Sequence, residues 1–384
     1  MSRNVQRLGK LWLSLKRTSL SSSVGRPLLG HRAVPSIPLP ALSQGIHFSC
    51  NQFSQNQDSQ TSSKSQSQDE KRIKLFIDPE VQTLLKELTG RDLKRIFRKR
   101  KIGQKLKEPK YTFMTEAQLQ KAREEAEEKA DKLLQMPPVL MPRKTIDEIL
   151  SFDPCIQLDE VVPSTLIFTD ISMNIKDRDR IIVARDPDGT LRQATWQERD
   201  KMNAIYFPTE GREFIPPKMF TQPLALQTVL DRASEEDNTY EFVLDRACLQ
   251  FEPEDPLFIN AAETTYETID RAGHYDFLKS TRHYGPMVFY LVRMRKMDNI
   301  LLHCIKHGRV TTDADRLVTL FQIIFPECKS KSAEKTINAV DKIKRYIQLD
   351  AIRKGELELA LNAYVEEEER KAELEEGLRR QHAM

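Results

Sequence analysis

"IIVARDPDGTLRQATW", Ile181 to Trp196, carries two extended runs on either side of Asp188-Gly189. Asp-Gly between β-branched and apolar residues is the strongest hairpin signal in the chain, because glycine accepts the positive φ that a tight turn demands. The stretch decides the fold class, since almost everything around it has helical period. "STLIFTDIS", Ser164 to Ser172, supplies a neighbouring strand. Thr195 and Glu198 form a capping-box signature that opens a helix bearing Trp196, Met202, Ile205 and Tyr206, stopped by Pro208.

Beyond Pro217 the helical period persists in segments of roughly 12 to 18 residues. Breaks fall near Asp231 to Asn238, Glu252 to Pro256, Gly273, Gly285-Pro286, Gly308 and Pro326. From Thr336 to Ala351 the stripe consists of Ile337, Val340, Ile343, Ile347 and Ala351. No repeat of fixed period emerges, and tetratricopeptide signature residues are absent. The end, "ELELALNAYVEEEERKAELEE", places nine acids between Glu356 and Glu376, which predicts an exposed helix or a frayed tail.

On the N-terminal side, Asp78-Pro79 opens a short helix that Gly90 closes. Thr115 with Gln118 caps a long charged helix ending at "MPP", Met136 to Pro138. Its seam of Leu119, Ala122, Ala126, Ala130 and Leu133 is a narrow stripe, suited to lying along a surface. Thr145 and Glu148 repeat the capping signature and predict another short helix before Pro154. The fold class is therefore mostly α (α+β): a helical bundle or irregular helical solenoid, with a small β-hairpin module and an extended basic N-terminal arm.

Hydrophobic residues make up 39% of the 384 and charged ones 30%, a balance suited to helices packing on helices. No apolar run approaches the roughly 18 to 20 residues that cross a bilayer. The five cysteines, Cys50, Cys155, Cys248, Cys304 and Cys328, form no CxxC pair and read as reduced, mostly buried thiols. With 60 basic and 57 acidic residues the chain is nearly balanced, but the charge is unevenly placed. Arg3, Arg7, Lys10, Lys16, Arg17, Arg26 and Arg32 precede the first acid, Asp58. An acid-free segment rich in Arg, Ser and Leu is the composition of a mitochondrial transit peptide. A secretory signal fits worse, since "LWLSL", Leu11 to Leu15, is a short apolar core broken at once by Lys16 and Arg17. Asn51 to Glu70 is nearly all serine, glutamine and asparagine, too polar to offset the entropy of ordering.

Catalytic signatures are thin. His303 and His307 lie four apart, but the residues between them include no glutamate, so the zincin motif is missing. "SAEK", Ser332 to Lys335, matches S-x-x-K without its companion motifs. "RDPDGT", Arg185 to Thr190, lacks the ligand alternation of a calcium loop. Neither phosphate-binding glycine motif occurs. The reading assigns no catalytic residue, no cofactor, no metal and no small-molecule substrate, and the chain is not expected to be an enzyme.

The basic run is the candidate site. Arg91, Lys94, Arg95, Arg98, Lys99, Arg100, Lys101, Lys105, Lys107 and Lys110 stand against only Asp92 and Glu108. A solvated helix face normally mixes both signs. Like charges crowded this closely are relieved by a polyanion, with release of condensed counterions as the driving force. If about six of these cations met duplex phosphates, affinity would fall about a thousandfold between about 50 and 200 mM salt. Phe97, Tyr111 and Phe113 are placed to stack on unpaired bases or to anchor the arm on protein. Arg282 and His283 in "STRHYG" offer a second polar contact or a loop between packed helices.

Several stretches carry a resemblance: "FTDIS" (168–172), "RIIVARDPDGTLRQATWQERDKMNAIYFPTEGR" (180–212), "QFEPEDPLFI" (250–259) and "YETIDRAGHYDFLKSTRHYGPMVFYLV" (266–292), with "FMTEAQL" (113–119) and "MPPVL" (136–140). In this order they resemble the family of protein twenty-two of the mitochondrial small ribosomal subunit, over about Phe76 to about Ala363. That family is mitochondrion-specific and structural. The resemblance implies a matrix location, assembly onto small-subunit mitochondrial ribosomal RNA, and contact with other small-subunit ribosomal proteins. The alternative is a free-standing mitochondrial RNA-binding or helical scaffold protein. The expected organisation is a transit peptide (1–50), a disordered Ser/Gln-rich spacer (51–75), a helical arm with the basic segment (76–136), and a small module with the β-hairpin (137–212). A helical domain (213–354) and an acidic C-terminal helix or tail (355–384) complete it.

Overall fold

A computed structural model describes residues 70–98, 111–146, 148–153, 164–232, 238–331 and 338–382, all within the unit formed by residues 56–384. The transit-peptide expectation and most of the spacer lie outside the described residues. Helix α1 (Pro79–Thr89) begins where Asp78 accepts the Glu80 amide at 3.0 Å, with proline at its first position, and ends at Gly90, φ 72°. Its inward face, Val81, Leu85 and Leu88, is completely buried. A single turn, α2 (Leu93–Ile96), follows. Helix α3 (Glu116–Leu133) opens on the expected capping box between Thr115 and Gln118. Only Ala130 of its seam is buried, so α3 does lie along a surface rather than within a core.

Strands β1 (Ile149–Phe152), β2 (Leu166–Thr169), β3 (Ile182–Arg185) and β4 (Thr190–Gln193) form an antiparallel sheet in the order β1-β4-β3-β2. The β3–β4 hairpin turns where sequence places it. Gly189 has φ 88°, and Asp188 accepts the Thr190 amide at 3.0 Å and its hydroxyl at 2.9 Å. These hydrogen bonds also hold the Asp188 carboxyl below its ordinary range. Helix α4 (Trp196–Tyr206) starts with the expected Thr195–Glu198 capping box and packs Met202 on Ile182, Ala184 and Ala194.

One expectation fails here: Thr145 and Glu148 cap no helix. Glu148 instead accepts the Gln193 amide at 2.9 Å and its side chain at 2.5 Å, and the next four residues form β1. A four-residue capping signature is a local preference, and cross-strand pairing of Ile149 to Phe152 with β4 overrides it.

The helical body contains α5 (Lys218–Thr221), α6 (Pro223–Leu230), α7 (Thr239–Gln250), α8 (Pro256–Ala272), α9 (Tyr284–Arg293) and α10 (Asp298–Lys306). After a π-turn over Val310–Ala314 come α11 (Asp315–Ile324), α12 (Ala339–Leu349) and α13 (Lys354–His382). Glycines close α8 and follow α10, at Gly273 and Gly308, as the sequence predicts. Helix α9 is buried on every side: Met287, Val288, Phe289, Leu291 and Val292 have no exposed surface. The stripe on α12 also holds, with Ile343 and Ile347 fully buried; Ile337 lies outside the described residues.

Gly285-Pro286 does not break a helix. Both sit in the first turn of α9, where proline's missing amide donor would have had no intrahelical acceptor. Gly285 is in close contact with Met136: a Cβ there would lie 2.1 Å from Met136 Sδ, so the thioether would have to move. The acidic end is a helix: α13 buries Leu357 and Leu361, and the residues from Glu366 to Gln381 are exposed. Pairs one turn apart, such as Glu376–Arg380 at 2.5 Å, support that exposed length. Among the described residues, no helix is long and apolar enough to cross a membrane.

Candidate nucleic-acid interface

The basic run starts on a fixed footing. The Asp92 side chain caps α2 by accepting the Lys94 amide at 3.0 Å, and the Asp92 amide donates to Ser280 Oγ at 3.1 Å. Ser280 in turn donates its own amide to the Thr89 carbonyl at 2.9 Å. Ile96 is buried, whereas Leu93 and Phe97 remain exposed. The run is thus stapled at its root to the turn between α8 and α9.

Four of the ten candidate cations are described. Arg91 pairs with Asp131 of α3 at 2.8 Å, both side chains 56% exposed. Lys94 is exposed. Arg95 donates to the Asp276 carbonyl at 2.5 Å and to the Phe277 carbonyl, and burial pulls its guanidinium below its ordinary range against the charges of Asp276 and Asp92. Arg98 pairs with Glu241, whose side chain is 3% exposed. Lys94, Arg95 and Arg98 border a cleft of about 430 Å³ that also meets Tyr240 and Phe277. Lys99, Arg100, Lys101, Lys105, Lys107 and Lys110 lie outside the described residues.

The described cations therefore differ in work. Arg95 and Arg98 fasten the run to the helical body, and Arg91 fastens it to α3. Their acceptors, Asp276, Phe277 and Glu241, stand more than a hundred residues away, so nothing local in the sequence marks them. Past the undescribed stretch, Tyr111 and Phe113 are 92% and 108% exposed. Aromatic faces standing in water beside a cationic run are the arrangement that stacks on unpaired bases.

His283 is buried, and Arg282 beside it is partly buried. Arg282 Nη2 and His283 Nε2 meet Asp245 Oδ1 at 2.6 and 2.8 Å, and the histidine is 1% exposed. Burial pushes the Asp245 carboxyl up, but the hydrogen bond from His283 and the charges of His283 and Arg282 outweigh it and hold it at about 2. Asp245 on α7 engages both side chains, which fits the reading of "STRHYG" as a loop between packed helices.

His303 and His307 gather a third polar neighbour, Asp276. The chain's own groups account for the cluster. His303 Nε2 lies 3.1 Å from Asp276 Oδ2, Arg309 donates to Asp276 Oδ1 at 3.1 Å, and His307 Nδ1 donates to the His303 carbonyl at 2.9 Å. The His303 hydrogen bond, opposed by burial and reinforced by the Arg309 charge, keeps Asp276 well below the carboxylate range. Burial raises the Cys304 thiol to about 12 and the Cys248 thiol to about 11, far from nucleophilic at neutral pH. Cys50 and Cys155 lie outside the described residues.

A family model described as mitochondrial 28S ribosomal protein S22 matches residues 74–326, from five residues before α1 to just past the end of α11. The basic run and the whole sheet fall inside that span. The small ribosomal subunit protein mS22 of Mus musculus is 42% identical over 293 residues, covering 76% of this chain and 79% of the relative. Its counterpart from Bos taurus is 40% identical over the same shares of each chain. A match of this length, running through the arm, the sheet and the helical body alike, places the chain in a family: it belongs to the mitochondrial 28S ribosomal protein S22 family.

Proposed function

We propose that the chain is a structural component of the mitochondrial small ribosomal subunit, working in the matrix. The observation that carries this reading is similarity across arm, sheet and helical body together to proteins named for that subunit. The role is architectural. The titratable clusters at Asp245 and Asp276 are internal ion pairs, and the two thiols of α7 and α10 are held protonated by burial. The partners are small-subunit ribosomal RNA and neighbouring ribosomal proteins.

The basic run, Arg91 to Lys110, is the RNA contact in this reading. Arg95 and Arg98 brace its root against α7 and the turn after α8, so phosphate contact falls to Lys94, Lys99, Arg100, Lys101, Lys105, Lys107 and Lys110. Tyr111 and Phe113 then face bases. The rest of the chain carries more acid than base once the run and the first seven cations are set aside, so most of its surface meets protein or solvent. Sedimentation of mitochondrial lysate in magnesium tests the assignment: the chain should travel with the small subunit and leave it as salt rises. A wholly soluble pool at low salt overturns it.

A further inference from the structure

Among the described residues, β2, β3 and β4 have one face covered by α4 and one bare. Register fixes which is which. Ile182 and Ala184 of β3 pack under α4 together with Ile167 of β2, so by the two-residue period of a strand their neighbours point the opposite way. Those neighbours are Leu166 and Phe168 on β2 and Ile181 and Val183 along β3, and Leu191 joins them on β4 through its pairing with Arg185. Leu166, Phe168 and Ile181 are 42%, 52% and 70% exposed. Val183 and Leu191 are half-buried. Ile171 and Met173, just past β2, add 67% and 78% exposure at its margin.

The five apolar side chains of this face, three of them 42 to 70% exposed, form a patch on the scale of the largest on a typical monomer, roughly 300 to 600 Å². The face is also poor in charge: among its strand positions only Arg185 is ionised, and that guanidinium folds back onto the Gly189 carbonyl at 3.2 Å. The other arginines of the module are likewise engaged. Arg180, 3% exposed, donates to the carbonyls of Asp170, Ser172 and Ile175, and Arg192 holds Asp186 and Glu198 at 2.8 and 2.9 Å. Asp170 directly follows β2 and Asp188 sits in the β3–β4 turn, while the loop between β2 and β3 carries Asp177 and Asp179 beside the exposed Lys176 and an Arg178 that pairs with Glu254 at 3.4 Å. An apolar centre whose one strand cation is engaged, with more carboxylates than unpaired cations at its margin, is a poor seat for a phosphate backbone. It suits the apolar core and polar rim of a protein interface.

We propose that the outer face of the sheet, centred on Phe168 and Ile181, is the docking surface for a neighbouring ribosomal protein that offers an apolar face with a basic margin. The proposal rests on the ribosomal reading and divides the molecule's labour: the basic run takes RNA, the sheet takes protein.

The test uses the full chain incorporated into small subunits, with Phe168→Cys and, separately, Ile181→Cys as reporters. Both side chains point away from α4, so neither substitution disturbs the packing under the sheet. Maleimide labelling, followed peptide by peptide, should be at least about tenfold slower in the intact subunit than in the isolated chain, because interface cores are desolvated. A photoreactive benzoylphenylalanine at position 168 should then give adducts on another ribosomal protein. Equal labelling rates in the two states, or adducts on ribosomal RNA or on a second copy of the chain, overturn the docking surface while incorporation itself upholds the ribosomal reading. Absence of the wild-type chain from the subunit fraction removes both.

Discussion

The carboxylate of Asp298 accepts the hydroxyl of Tyr346 at 2.9 Å, and its other oxygen accepts the amides of Ile352 and Arg353 at 2.8 Å each. Asp298 opens α10 and is 6% exposed, so a buried carboxylate ties α12 and the entry to α13 onto α10. Those two amides precede the first turn of α13, and their positions set its direction.

Asp298→Ala leaves a buried hydroxyl and two amides without their acceptor. The expected loss is about 3 kcal/mol, since hydrogen bonds to a charged group are worth about 1.5 to 3 kcal/mol and orphaned donors add their own penalty. Tyr346→Phe removes one bond of the three and should cost about 1 kcal/mol. Urea unfolding checks both values, and limited proteolysis should cut the alanine variant first near Arg353.

Among the described cations Arg95 and Arg98 anchor the run, and the proposed RNA contact falls to the others. Arg95→Gln gives up two carbonyl contacts and should cost about 1 to 2 kcal/mol in folding stability. Arg98→Gln withdraws a charged partner from a carboxylate that is nearly buried and should cost at least about 2 kcal/mol. Neither replacement should alter the salt dependence of RNA binding much. Glutamine at Lys94, Lys99, Arg100 and Lys101 together should leave unfolding unchanged and lower the magnitude of the log-log salt slope by about three. Titrations of a ribosomal RNA fragment at several salt concentrations, beside urea curves, distinguish the two classes. An unchanged slope in the fourfold variant reduces those lysines and arginines to a solvated surface.

Asp245 gives an acid limb to the stability curve. Its folded pKa of about 2 lies below its ordinary 3.8, so its ion pairs contribute fully above about pH 4, and that contribution is lost as pH falls toward 2. The shift corresponds to roughly 2 kcal/mol, given 1.36 kcal/mol per pKa unit. Asp245→Asn should be less stable than wild type by that order at pH 7, and the gap should close on acidification. Urea midpoints at pH 7, 4 and 2.5 measure it. A gap that is constant across this range would show that the carboxylate charge carries none of the effect.

Local signals survived where local chemistry decides. The capping boxes at Thr115 and Thr195, the Asp188-Gly189 turn and the Asp78-Pro79 start each involve partners two to four residues apart, and each formed as read. Long-range pairing erased the same kind of signal at Thr145, where β4 recruited the segment as a strand. It also split the basic run, because Asp276, Phe277 and Glu241 claim Arg95 and Arg98 from 143 to 182 residues away. Charge density located the candidate interface, but only the fold could show which cations hold it in place. Gly285-Pro286 shows the limit from another side: the break expected near the pair lies just before it, and the pair itself is a first turn pressed against Met136.

That contact yields a coupled prediction. Adding a methyl at Gly285 gains up to about 1 kcal/mol of helix propensity but meets Met136 Sδ at 2.1 Å, while Leu85 Cβ at 3.5 Å is an ordinary neighbour. The clash is with a flexible thioether alone, so Met136 must swing away and surrender part of its packing on α1 and α9. Gly285→Ala should therefore be destabilising by about 1 to 2 kcal/mol, as overpacking usually is. Met136→Ala alone should also destabilise, through the cavity it opens. Combined, the two should cost less than the sum of the separate effects by at least about 1 kcal/mol, because the new methyl enters the vacated space. A double-mutant cycle in urea reads that coupling directly, and strict additivity would mean that backbone displacement of α9, rather than the sulfur, limits what position 285 can hold.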